Sequence, residues 1–168
     1  MTNTTLQLTP QLGLSDEVRL GLAELFKRLL ADEMVLYTKL RNYHWNVTGP
    51  TFAMLHELFE EQYTQLADVI DDVAERIRQY GVMAPGTLAE FQQLARLSEH
   101  PGEYPDAHTM VANLVADHEA LVRTLREDEE TMDDDYEDVG AQDFVTGLLQ
   151  QHQKMAWLLR AHLEGGAA

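Results

Sequence analysis

The chain has 168 residues, 45% of them apolar, which suffices for one domain with a real core; nothing in it resembles a second domain or an interdomain linker. Twenty-nine acidic against 12 basic residues give a formal charge of −17, which disfavours attraction to duplex DNA or anionic lipid and favours cations as partners. Cysteine is absent, excluding disulfides, thiolate nucleophiles and Cys-based zinc sites, so any metal chemistry falls to imidazole and carboxylate. With no run of 18 apolar residues and no basic-then-apolar leader, a soluble, cytoplasmic protein with no membrane association is expected.

Residues 1–14 are polar and poorly patterned and are expected to form a flexible or strapped-down tail. Ser15, followed by Asp16 and Glu17, opens a helix whose apolar positions Val18, Leu22, Leu25, Leu29, Leu36 and Leu40 carry it to about Asn46. After Val47-Thr48-Gly49, Pro50 fits the first turn of a second helix, which Phe52, Leu55, Phe59, Leu66, Val69, Val73 and Ile77 extend to Tyr80, with Gly81 as its stop. Thr87 and Glu90 read as a capping box that opens a short helix through about Leu97, inside a connection too long for a hairpin. Helical spacing returns after Pro105 with Met110, Leu114, His118, Leu121 and Leu125. Nine of the twelve residues Glu127 to Asp138 are acidic; a solvated face or loop is the bland reading of such a run, and it stands level with one in which the run has a function of its own. A last helix from about Ala141 to Leu163 rests on Phe144, Leu148, Met155, Trp157 and Leu159, and 165–168 form a short tail. The expectation is all-α: a ferritin-like four-helix bundle over 15–164, with a short extra helix in the crossover between the second and third long helices.

His56, Glu60, Asp71 and Glu75 fall at roughly 0, 40, 60 and 100° around the second helix and therefore share a face. Yet His56 and Asp71 lie about 22 Å apart along it, too far for one ion with bonds of about 2 Å. Two antiparallel copies of the helix, related by a two-fold axis near Gln65 and Leu66, would set each His56/Glu60 pair against the partner's Asp71/Glu75. His44, at the end of the first helix, can fold back towards the same place. The Glu-x-x-His signature of bundle-core iron sites occurs nowhere, which favours a shared interface site. Asp68 and Asp72 flank the candidates as surface charges, and Arg76 and Arg78 are positioned to neutralise them. His100, His108, His118, His152 and His162 lack a ligand spacing and are expected to be structural or exposed.

The run Asn42-Tyr43-His44-Trp45-Asn46-Val47-Thr48-Gly49-Pro50, with Leu55-His56-Glu57 and Asp71-Asp72-Val73-Ala74-Glu75-Arg76-Ile77 at matching spacing, resembles the signature of the Dps family of mini-ferritins. Glu103-Tyr104-Pro105, Asp117-His118-Glu119, Gln142 to Leu148 and Lys154 to Arg160 are similar to the family as well. The resemblance implies a homododecamer built from two-fold dimers that oxidises Fe(II), preferring hydrogen peroxide, and stores ferric mineral against oxidative damage. It implies a two-iron ferroxidase site with His44 and His56 from one subunit and Asp71 and Glu75 from its partner, with Zn(II) as a possible competitor for the same donors. The family frequently has Asp where this chain has Glu60; the longer carboxylate still reaches, but it leaves occupancy of the second iron position open. Trp45 matches an aromatic residue kept near the site, with two readings: taking up stray oxidising equivalents, or packing the interface. The resemblance also sets the start of the last helix at a three-fold axis, where Asp134, Asp138 and Asp143 would line a pore for Fe(II), with Asp133, Asp135 and Glu137 facing water. DNA-binding members use basic tails, and none lies before Arg19 or after Arg160, so DNA binding is expected to be weak or absent.

Overall fold

A computed structural model describes residues 9–164, and among them every regular element is a helix. In chain order these are α1 (Asp16–Asn46), α2 (Phe52–Gln79), α3 (Leu88–Leu94), α4 (Ala107–Asp134) and α5 (Val139–Arg160). α1 packs along α2 and α4 along α5, while α3 lies in the crossover against α1, giving the expected bundle with its extra helix. No helix among the described residues is long and apolar enough to cross a membrane. The tail expectations for 1–8 and 165–168 fall outside the described residues; Pro10, in the described part of the N-terminal stretch, lies against Gly81.

The core follows the sequence stripes. Phe26, Leu29, Leu36 and Leu40 of α1 meet Phe59, Leu66, Val73 and Ile77 of α2, with Leu114, Leu121 and Leu125 of α4 and Val145 and Leu159 of α5 closing the interior. Phe26 stacks on Tyr80 with ring centroids 5.9 Å apart and takes Phe144 edge-on at 5.6 Å, each such pair contributing about 1 kcal/mol beyond its burial.

The ends differ from expectation in instructive ways. Ser15 caps α1, accepting a hydrogen bond from the Val18 backbone N–H at 3.2 Å. Pro50 precedes α2 rather than sitting in its first turn: Thr51 is the N-cap, and the Phe52 N–H closes the connecting turn on Gly49 O at 3.1 Å. α2 stops as the glycine suggests. Gly81 adopts φ 76°, its N–H donates to Arg78 O at 2.9 Å, and the Val82 N–H reaches back to Ile77 O at 3.4 Å, the two bonds of a Schellman stop. The Thr87–Glu90 capping box is present, but α3 ends at Leu94 instead of Leu97 because the Arg96 and Leu97 backbone N–H groups donate to Asp32 Oδ1 on α1. α5 stops at Arg160, short of Leu163, and continues as turns.

The acidic run divides. Its residues up to Asp134 continue α4. Asp128 is not a solvated face residue: it is buried against Arg96, which bridges it at 3.0 Å to Asp32 at 2.7 Å.

Candidate metal centre

The last turn of α1 leaves backbone carbonyls without helical donors, and His44 lies within that turn. The short connection returns the chain so that His56, one turn into α2, stands beside it. His56 Nδ1 lies 2.8 Å from His44 O, and His44 Nδ1 lies 2.7 Å from His56 O. A carbonyl only accepts, so each Nδ1 must carry the proton and donate. The two rings stack at 3.7 Å. Both Nε2 lone pairs are thereby left for another partner, the arrangement in which a metal-binding imidazole is held by its second nitrogen.

Glu60, one turn beyond His56 and exposed, completes the group: one donor atom from each of His44, His56 and Glu60 lies within 4.8 Å of the others. Among the described residues this is the one cluster of three or more His, Asp or Glu side chains that converges closely enough to hold a metal ion. Two imidazoles and a carboxylate suit Fe(II) and Zn(II). Asp71 and Glu75 do not join them; both are exposed further along α2. Arg76 donates to Gln79 Oε1 at 3.2 Å and lies over the Tyr80 and Phe144 rings, and Arg78 donates to Val82 O. Trp45 is 64% exposed, with the Arg41 guanidinium 5.2 Å from its ring.

Two neighbours escaped the sequence reading. Tyr63 donates its hydroxyl to Glu60 Oε1 at 3.3 Å and sets its ring edge-on to His44 at 5.3 Å. Arg41 lies over the Tyr63, Trp45 and Tyr37 rings. The signal was there in the helical spacing, since Tyr63 follows Glu60 by three residues and Tyr37, Arg41 and Trp45 recur every four.

His118 and His152 lie inside the bundle. Both are fully buried; their Nδ1 atoms are 2.9 Å apart, and His152 Nε2 lies 2.8 Å from Glu33 Oε1. These groups follow one another pair by pair and are not gathered as His44, His56 and Glu60 are. His100 and His108 are exposed and His162 is half-buried. Of the candidate pore residues, Asp134 ends α4 and Asp143 is exposed on α5, whereas Asp138 caps α5, accepting from the Gly140 and Ala141 backbone N–H groups. The Tyr80 hydroxyl also donates to Asp138 at 3.0 Å; burial above all, with the nearby carboxylate, pushes that phenol up to about 12.

The ferritin-like domain model matches residues 23–167. The DNA protection during starvation protein 2 of Bacillus anthracis is 38% identical over 141 residues, covering 83% of this chain and 94% of that protein. The chain belongs to the Dps family. The solved Dps of Bacillus brevis aligns with a TM-score of 0.82 at 36% identity, covering 88% of this chain and 97% of that one. The Vibrio cholerae Dps, described as a member of a broad superfamily of ferritin-like diiron-carboxylate proteins, aligns at 0.85 and 29% identity, covering 93% and 98%. An uncharacterized low temperature-induced protein of Nostoc is 47% identical over 154 residues, covering 92% of this chain and 86% of its own length. Membership in the Dps family places the chain among iron-handling, ferritin-like proteins.

Proposed function

We propose that this Dps-family chain is a ferroxidase and iron-storage protein whose reaction site is shared between two copies. The observation that carries the reading is the reciprocal His44–His56 bonding, which leaves both Nε2 lone pairs free beside Glu60. Three donors do not fill the coordination of two iron ions, and the remaining carboxylates, Asp71 and Glu75, come from the two-fold partner. Fe(II) is the substrate, and zinc competes for the same donors.

Carboxylates stabilise Fe(III) over Fe(II), so the donor set favours oxidation in place. Two Fe(II) ions supply two electrons to one hydrogen peroxide, which with two protons gives two waters and two Fe(III), without release of hydroxyl radical. This supports peroxide as the preferred oxidant and protection from oxidative damage as the outcome. The product collects inside a homododecameric shell in the cytoplasm. The alternative of a DNA-binding nucleoid protein is disfavoured by charge: twelve chains carry a formal charge of about −200.

Anaerobic Fe(II) titration followed by peroxide, read at the ferric absorbance per subunit, tests the reaction. A mixture of His56→Ala and Asp71→Ala chains tests the sharing. Each variant alone is expected to be inactive, and mixed dimers are expected to recover one intact site of two. No recovery with mixed assembly verified would overturn the shared site; no iron-dependent absorbance in the unmutated protein would overturn the ferroxidase reading.

A further inference from the structure

Glu33 on α1, His152 on α5 and His118 on α4 are all fully buried and form one chain through the bundle interior. His152 Nε2 lies 2.8 Å from Glu33 Oε1, and His152 Nδ1 lies 2.9 Å from His118 Nδ1. α2 joins one turn further along α5, where the buried, uncharged Gln62 donates to Met155 O at 3.3 Å. The neighbouring charges turn elsewhere: Asp32 pairs with Arg96, Asp117 with Lys39 and Glu119 with Arg160, and Lys154 of α5 is exposed.

Each of the two contacts needs one proton between its atoms, and charge decides how many the chain holds in all. If His118 were the donor and neutral, His152 would keep its single proton on Nε2 and Glu33 would be a carboxylate. The chain would then carry a net charge of −1, with Glu33 Oε2 and His118 Nε2 both unpartnered in the buried interior. A third proton, on His118 Nε2, brings the sum to zero. His152 Nδ1–H then donates to His118 Nδ1, and one proton lies between His152 Nε2 and Glu33, on whichever atom it is written. A fourth would leave one positive charge with no carboxylate to offset it. Burial first, and the facing His152 second, hold His118 well below its ordinary value, in keeping with a neutral ring at that end.

We propose that Glu33, His152 and His118 form a proton-counting latch, closed across α1, α5 and α4 only while it holds three protons, so that the bundle loosens locally when the pH moves to either side. The latch is independent of the ferroxidase reading. Its sign follows from the opened form, in which imidazoles titrate at about 6.5 and the carboxyl at about 4.3. Between those values the opened latch holds four protons, one more than the closed form; above about 6.5 it holds two, one fewer. Opening is therefore least at about pH 6.5 and is expected to rise about eightfold by pH 5 and about eightfold by pH 8.

Hydrogen exchange of the α4 and α5 backbone around His118 and His152, read by mass spectrometry on the assembled protein across that range and corrected for the intrinsic rate, tests the latch. Wild type is expected to give the two-sided curve. Many folds are most stable near neutrality, so two conservative variants separate the arms. His118→Gln keeps an acceptor for His152 Nδ1–H but cannot titrate, so closed and opened forms hold equal protons in acid. Its acid arm is expected to vanish and its alkaline arm to remain. Glu33→Gln keeps a donor for His152 Nε2 but removes the shared proton. Its alkaline arm is expected to vanish and its acid arm to steepen, because opening then takes up two protons. A one-sided curve in wild type, or both arms surviving in either variant, overturns the proposal. If neither variant assembles, wild type still decides. Solid-state nitrogen-15 spectra of the histidine-labelled protein near pH 6.5 are expected to show two imidazole nitrogens coupled through an N–H···N bond, the accepting ring protonated on its other nitrogen. Absence of that pair overturns the latch.

Discussion

His118 carries the clearest pH signature of any single residue. Burial first, and the facing His152 second, hold its imidazole well below the ordinary 6.5, so it stays neutral in the fold while the unfolded chain protonates below that value. Proton uptake by the unfolded chain alone means stability is fully present above about pH 6.5 and falls as the pH drops, by up to about 1.4 kcal/mol per unit. His118→Leu is expected to flatten the decline, narrowing its gap to wild type as the pH falls from 7 to 5. Thermal unfolding of both proteins at pH 7, 6 and 5 checks this; parallel declines would contradict it. Sequence spacing placed His118 on an apolar stripe and could go no further. Its partner His152 lies 34 residues away, and Glu33, which meets His152, lies 119 residues from it, so only the folded bundle brings the three together. His44 and His56 were legible because a short turn joins them, so their approach is a local matter.

At the scale of elements, Arg96 fastens the crossover to the bundle. It pairs with Asp32 at 2.7 Å and Asp128 at 3.0 Å, and its own backbone N–H donates to Asp32, whose side chain is almost wholly buried. Arg96→Ala removes the charge partner of a buried carboxylate and is expected to cost about 3 kcal/mol in denaturant unfolding. A loss under about 1 kcal/mol would mean that the two backbone N–H donors suffice. Helix starts were legible wherever a cap was local, as at Ser15 and Thr87. Helix ends were less so: the stop of α3 is made by Asp32, a residue more than sixty positions away, and no local signal reports it. Asp138 is a similar case. Asp138→Ala is expected to cost about 1 kcal/mol as a lost cap, while Asp138→Asn keeps the cap and removes only the charge. Comparing the two separates a cap from a pore residue.

The charge of the whole shell bears on traffic into it. Asp134 and Asp143 have no capping duty, and Asp134→Asn with Asp143→Asn is expected to slow iron uptake at low Fe(II) and low salt while leaving assembly intact. Added salt should produce part of the same defect in the unmutated protein by screening the approach. Unchanged uptake returns the acidic run to solvated surface. Plasmid is expected to show no gel shift at moderate salt without bridging divalent metal, and a shift would contradict the reading from charge. The stripe on α2 has one more consequence, for mixed populations. His56 and Glu75, like Glu60 and Asp71, stand equally far from the middle of the helix, so in the proposed shared arrangement each site would draw one half from each copy. When wild type is co-expressed in equal amount with His56→Ala chains, activity should fall in proportion to dose, to about one half. With chains bearing both His56→Ala and Asp71→Ala it should fall as the square, to about one quarter, because an intact site then needs two wild-type chains. The shape of that dose curve, linear for one lesion and quadratic for two, reads the architecture of the site from activity alone.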